Sequence, residues 1–129
     1  MPQYEFSCQV QPHYLPEQSA PAEEVFAFAY TVTVTNTGDV PAQLIARHWI
    51  ISDANGHTEE VKGLGVVGHQ PLLQPGESFQ YSSASRLRTA TGAMHGQYFC
   101  VAEDGTRFEA EIPMFVLEAT PGSPARVLH

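Results

Sequence analysis

Gly63, Gly65 and Gly68 stand at the spacing G-x-G-x-x-G, directly after Lys62. Glycines so placed let backbone N–H groups approach a pyrophosphate closely. The dinucleotide-binding version of that loop also needs a strand before it and a helix after it, with the helix N-terminus facing the phosphate. Here His69-Gln70-Pro71 follows, then Pro75, and no helix fits. A P-loop Lys-Ser/Thr pair is absent as well. The segment reads as a glycine-rich bulge or loop, with a phosphate nest using Lys62 or Arg47 as the chemical alternative.

Six histidines raise the question of a metal. None lies at the i, i+2 or i, i+4 spacing by which ligands converge on one ion. His48 and His57 flank one predicted hairpin, with Glu59 nearby, and are the candidates; no metal is expected. Ser82, Ser83, Ser85 and Cys100 lack a nucleophile elbow, and Cys100 falls in a predicted buried strand. Glu23-Glu24 and Glu59-Glu60 read as solvated faces rather than acid–base dyads. No set amounts to a catalytic site. What remains is recognition by surface, with Val66-Val67 and Pro71-Leu72-Leu73 either meeting a partner or covering one end of the core.

The elements that must position these residues are strands. Phe26, Phe28, Tyr30, Val32 and Val34 alternate with Ala27, Ala29, Thr31, Thr33 and Thr35, the period of a half-buried strand. A first strand holds Phe6, Cys8 and Val10 and stops at Pro12. Leu15 to Glu24 reads as a loop. Gln43 to Ser52 carries Ile45, Arg47, Trp49 and Ile51 on one face, with Trp49 in the core because burying the largest apolar side chain gains most. Asn55-Gly56 supplies a primed hairpin turn, and His57 to Lys62 returns antiparallel. Ser78 to Ala84 is a strand, and Thr89 to Gly92 a connection. Gln97 to Ala102 and Thr106 to Ile112 flank a Gly105 turn. Met114 to Leu117 forms a last short strand after Pro113.

No window has a sustained helical period. Short strands between turn signals indicate an all-β, immunoglobulin- or fibronectin III-like sandwich of two antiparallel sheets, with about seven strands. Trp49, together with Tyr98 two residues before Cys100, matches the buried tryptophan and tyrosine corner of such domains. Cys8 lies too far upstream for an antibody-type bridge, so both cysteines are expected as free thiols.

The chain's 129 residues suit one domain, expected over 1–117 with a mobile Pro/Gly/Ser-rich tail over 118–129. Fourteen acidic residues against six basic ones give a formal charge of -8, which repels phosphate backbones and argues against nucleic acid. No apolar run is long enough to span a bilayer. The N-terminus lacks a secretory pattern, so the cytoplasm is the expected location.

RHWIISDANGHTEEVKGLGVVGHQPLLQPGE, FQYSSASRLRTATGAMHGQYF and FEAEIPMFVL closely resemble the ApaG family, over roughly Tyr4 to Leu117. The resemblance implies a fibronectin III-type sandwich and links to cobalt and magnesium tolerance and to dinucleoside polyphosphate metabolism. It also implies protein binding, since similar domains end some F-box adaptors and polymerase-delta-interacting proteins. The expectation is a non-enzymatic protein-interaction module without a cofactor. Its binding loop is Lys62, Gly63, Gly65, Val66, Val67 and Gly68, and weak pyrophosphate or nucleotide binding there is the alternative.

Overall fold

The computed structural model describes residues 3–119. Eight strands follow one another: β1 (Phe6–Tyr14), β2 (Phe26–Asn36), β3 (Ala42–Asp53), β4 (Thr58–Leu64), β5 (Leu72–Leu73), β6 (Ser78–Leu87), β7 (Thr91–Ala102) and β8 (Arg107–Glu118). They form two antiparallel sheets, one ordered β1-β2-β6 and the other β4-β3-β7-β8, with β5 added to β3. This is the all-β sandwich expected, with the two-residue β5 as the strand the sequence did not suggest. No helix among the described residues is long and apolar enough to cross a membrane. The strand that ends at Glu118 overlaps the expected tail by one residue, and 120–129 lie outside the described residues.

Alternation builds the core. Phe28, Tyr30, Val32 and Val34 of β2 face Leu44, Trp49, Met94, Tyr98, Ile112 and Leu117 of the opposite sheet, all buried. Trp49 is 2% exposed, as its size predicts. Its indole meets Tyr30 at 5.4 Å and Phe115 edge-on at 5.9 Å, so three aromatic rings join the sheets at mid-height.

Several expectations change. β1 continues through Pro12, and β8 runs unbroken through Pro113, because both are edge strands and an edge tolerates a missing N–H. Pro113 also falls at a register shift opposite His95, between the Met94–Phe115 and Gly96–Ile112 pairs. β7 begins at Thr91, inside the expected connection, and buries Met94. The 15–24 loop contains two short 3-10 turns, Pro16–Gln18 and Pro21–Glu23. At 53–57 only Gly56 has positive φ, 83°. That hairpin is therefore not a two-residue primed turn, and Asp53 Oδ1 accepts from Asn55 and His57 N–H at 2.9 Å each.

Two buried polar contacts hold the frame. Asn36 donates from Nδ2 to the Val40 and Leu73 carbonyls at 2.9 Å each and accepts Gly38 N–H at 2.8 Å, tying the β2–β3 connection to β5. Tyr98 makes no tyrosine corner: its hydroxyl bonds the Tyr81 hydroxyl across the sandwich. Cys8 and Cys100 are free thiols. Burial pushes both up from the ordinary 9.0 to about 12, and Cys8 adds to the rise at Cys100.

β1 meets β8 through Phe6 and Phe108, whose rings stand perpendicular at 5.5 Å, and that side of the sandwich is closed. The other side, between β6 and the β3–β4 hairpin, is an open cleft of about 490 Å³.

Two outcomes follow from the buried phenols and thiols. Tyr98→Phe leaves the Tyr81 hydroxyl unpaired and is expected to cost about 1–3 kcal/mol in urea unfolding, whereas Tyr81→Phe/Tyr98→Phe regains more than half of that loss. If the double variant is no more stable than the single, the two hydroxyls do not depend on each other. The second concerns pH. A thiol pushed up by folding stabilises the native state below its unfolded value, and that contribution disappears as pH rises toward the folded value. Urea midpoints should stay flat up to the ordinary thiol value of 9.0 and fall between there and about 12, with a shallower fall in Cys100→Ala.

Candidate functional site

The glycine segment is shaped by an irregularity one strand away. Along β3, Ala42 and Leu44 point inward, and so do Trp49 and Ile51, although even and odd positions of one strand should face opposite ways. A bulge between Leu44 and Ala46 reconciles them. The single face expected for Ile45, Arg47, Trp49 and Ile51 therefore begins only after the bulge. Its consequence is that Arg47 turns toward the interior. Its Nη1 donates to the Leu64 carbonyl at 3.0 Å and the Gly65 carbonyl at 2.9 Å. Gly63 pairs with Arg47 across the ladder, and a Cβ there would lie 2.8 Å from the guanidinium carbon. Gly63 is the floor on which the arginine rests.

Beyond β4 the chain turns back on itself. Gly65 N–H donates to the Ile45 carbonyl at 2.7 Å, and Val66 and His69 exchange both hydrogen bonds at 2.8 and 2.9 Å. The two residues between them, Val67 and Gly68, have φ of 41° and 83°. Positive φ at both central positions is the requirement of a primed two-residue turn, here in the glycine segment rather than at Asn55-Gly56. Gly65, at φ 68°, brings its α-carbon so close to the His69 carbonyl that a Cβ would sit 2.5 Å from the oxygen.

Val67 is the anomaly. A β-branched residue at positive φ is a backbone outlier that costs about 1–3 kcal/mol. It is 53% exposed and borders a small cavity with Tyr30, Trp49 and Tyr81, so burial repays only part of that cost. Val66, beside it, is fully buried. The apolar pairs therefore divide: Val66 and Leu73 cover the core, while Val67 and Leu72 (57% exposed) face outward, as does Leu64 at 75%. The hairpin leans across the sandwich, with the His69 ring 5.5 Å from Phe79 on β6.

The structure separates the other candidates. His48 lies opposite Lys62, and His57 is beyond Asp53 at the far end of the hairpin, roughly 16 Å away at strand spacing. His48 Nε2 is buried and 3.4 Å from Glu60 Oε1 without hydrogen-bond geometry; Lys62 Nζ is 4.0 Å from the same oxygen. Among the described residues no three His, Cys, Asp or Glu converge as metal ligands.

Below the hairpin runs the open cleft. Tyr30, Trp49 and Ile51 form its floor, Glu59 and Val61 one wall, Ser83, Ser85 and Arg86 the other. It continues toward Asp53, His57 and Arg88 in a wider mouth of about 700 Å³. Burial raises the Tyr30 phenol, and a hydrogen bond with Ser83 and the charge of Arg47 pull it part of the way back. The sequence reading missed this cleft. Its signal was available on β6, where the inward series Phe79, Tyr81 continues as Ser83, Ser85 instead of apolar residues.

The ApaG domain family model matches residues 16–102. The chain belongs to the ApaG family. Protein ApaG of Acidovorax sp. is 70% identical to it, with both chains fully covered. Protein ApaG of Ralstonia nicotianae is 60% identical over the whole of both. The crystal structure of a Bordetella pertussis protein named ApaA superposes with a TM-score of 0.87 at 53% identity, covering 89% of this chain and 94% of that one.

The loop geometry sets an order of sensitivity within it. Gly65→Ala meets the His69 carbonyl and a left-handed φ together, and should cost more than 2 kcal/mol in urea unfolding, counting strain and clash. Gly68→Ala, with nothing within 4 Å, should cost only about 1 kcal/mol. Val67→Asn places a residue tolerant of positive φ at the apex and should stabilise by up to about 1 kcal/mol.

Proposed function

We propose that this ApaG chain is a non-enzymatic protein-recognition module of the cytoplasm, whose contact surface is the hairpin 62–69. The observation that carries the reading is Val67. A branched apolar side chain held half-exposed in a left-handed conformation costs stability and adds little to the core. What it provides is a rigid apolar knob, with Leu64 and Leu72 exposed near its base. The remaining loop residues serve that knob. Gly63 accommodates Arg47, Gly65 and Gly68 allow the turn, Val66 anchors it in the core, and Lys62 sits at the rim. In this reading the family's association with cobalt and magnesium tolerance runs through the bound partner.

A second reading has one observation in its favour. Gly65 and Val66 N–H are used within the loop, but among the described residues Val67 and Gly68 N–H have no acceptor, which leaves two adjacent apical donors for a pyrophosphate or nucleotide.

The two readings separate in one set of variants. Val67→Asn should raise thermal stability while weakening capture of the protein's binding partners at least tenfold, and Val67→Asp should abolish it. Equal capture by both variants and the unaltered protein would sink the recognition reading. Saturable pyrophosphate shifts confined to the 67 and 68 amides, preserved in Val67→Asn, would establish the anion reading in its place.

A further inference from the structure

We infer that the open cleft between β4 and β6 takes an extended acidic segment of a partner protein, added as a strand along β6. The inference deepens the protein-recognition reading and rests on it, naming the partner's chemistry and a second contact beside the hairpin.

The backbone supplies the first ground. β6 is the end strand of its sheet, pairs with β2 without a bulge over Ser78–Leu87, and leaves its other edge unpaired. Ten residues of regular edge amount to roughly 33 Å of template. Edges are ordinarily blunted by proline, lysine, a bulge or a covering loop. The span 78–87 has neither proline nor lysine. The hairpin lies against its first half, with His69 beside Phe79 and Val66 and Val67 bordering one small cavity with Tyr81 and Ser83, which leaves the half from Ala84 to Leu87 clear of it. β4, across the cleft, is likewise an end strand. A long trough between two strand edges fits an extended peptide better than a compact ligand.

Charge is the second ground. The chain has only six basic residues and a charge of -8, yet Arg47, Arg86 and Arg88 all line this cleft. Arg47 is committed to loop carbonyls. Among the described residues, Arg86 and Arg88 make neither an ion pair nor a hydrogen bond. Two unpaired guanidinium groups two residues apart match carboxylates at alternate positions of a strand. The acidic groups here are Glu59 on the β4 wall, Asp53 at the mouth, where Asp53 Oδ1 already accepts two backbone N–H groups, and Glu23 and Glu24, which line a neighbouring hollow with Arg86 and Arg88 without forming an ion pair to either. Glu59 therefore repels incoming carboxylates from β4 and directs them toward β6.

The third ground is the lining. An added strand alternates its side chains, so residues between the carboxylates point at the apolar floor of Tyr30, Trp49 and Ile51, while Ser83 and Ser85 offer hydroxyls along the wall. The motif is acidic–apolar–acidic in extended form.

The test is selection of random displayed twelve-residue peptides against the full chain, followed by titration of synthetic versions. Trp49, the sole tryptophan, reports from the cleft floor. The expected result is enrichment of acidic residues at alternate positions, amide shifts along 82–88 and 58–61, and at least tenfold weaker binding by Arg86→Glu/Arg88→Glu. Both substituted residues are exposed, so the fold survives the change. Enrichment of neutral or basic peptides, or unchanged affinity in that double variant, overturns the inference. Peptides that lose affinity only in Val67→Asp overturn it too, and leave the hairpin reading standing. Displacement of the peptide by equimolar inorganic pyrophosphate would make the cleft a small-anion site and likewise overturn it. A selection with no binder removes the cleft inference, while capture through the hairpin is decided by its own variants.

Discussion

The hydrogen bond between the Tyr81 and Tyr98 hydroxyls is the constraint on which the arrangement of the two sheets depends. Apolar packing is tolerant of sliding, because one methyl group substitutes for another at small cost. A buried hydroxyl is not tolerant, since an unmet donor in the core costs about 1–3 kcal/mol. β6 and β7 belong to different sheets, so this polar contact, with the tie of Asn36 to β5, sets how one sheet lies over the other. Burial raises both phenols; the hydrogen bond from Tyr98 pulls Tyr81 part of the way back, whereas Tyr81 raises Tyr98 further, and the net upward shift keeps the pair neutral. With β6 held there, its far edge overhangs the β3–β4 hairpin at the width of the cleft.

The bulge in β3 does the corresponding work for the hairpin. One extra residue turns Arg47 from the solvent face to the interior, where an unpaired guanidinium would be expensive. Two loop carbonyls satisfy it, and they exist only because Gly63 leaves room for the side chain and Gly65 bends the chain back. The arginine and the glycines are thus one device. Each explains a residue that its own strand alone does not.

The sequence was most legible where one physical signal dominated. Alternation identified β2 over its full length, and size placed Trp49 in the core. Prolines misled, because Pro12 and Pro113 look like stops until the strands are known to be edges. Asn55-Gly56 carried the usual primed-turn pair but adopts a longer turn closed by Asp53, while Val67-Gly68, with a residue ill-suited to positive φ, adopts the primed one. Local propensity lost there to the β3–β4 register and to Arg47. The glycine spacing was visible at once, but what it accommodates depends on a bulge twenty residues earlier, which no local pattern announces. The cleft was least legible, because it exists only between strands distant in the chain.

The closed side of the sandwich has a consequence for how the protein is made. Phe6 and Phe108 meet there, and the Tyr4 hydroxyl donates to Asp104 Oδ2 at 2.6 Å nearby. The first strand therefore finds its final neighbour only after about 100 further residues have been synthesised, a wait of roughly 5–20 s at ordinary elongation rates. Until then β1 can pair with β2 but its inner face stays open to water. The chain emerges from the ribosome as an unfinished sheet and becomes a protein when its last strand arrives.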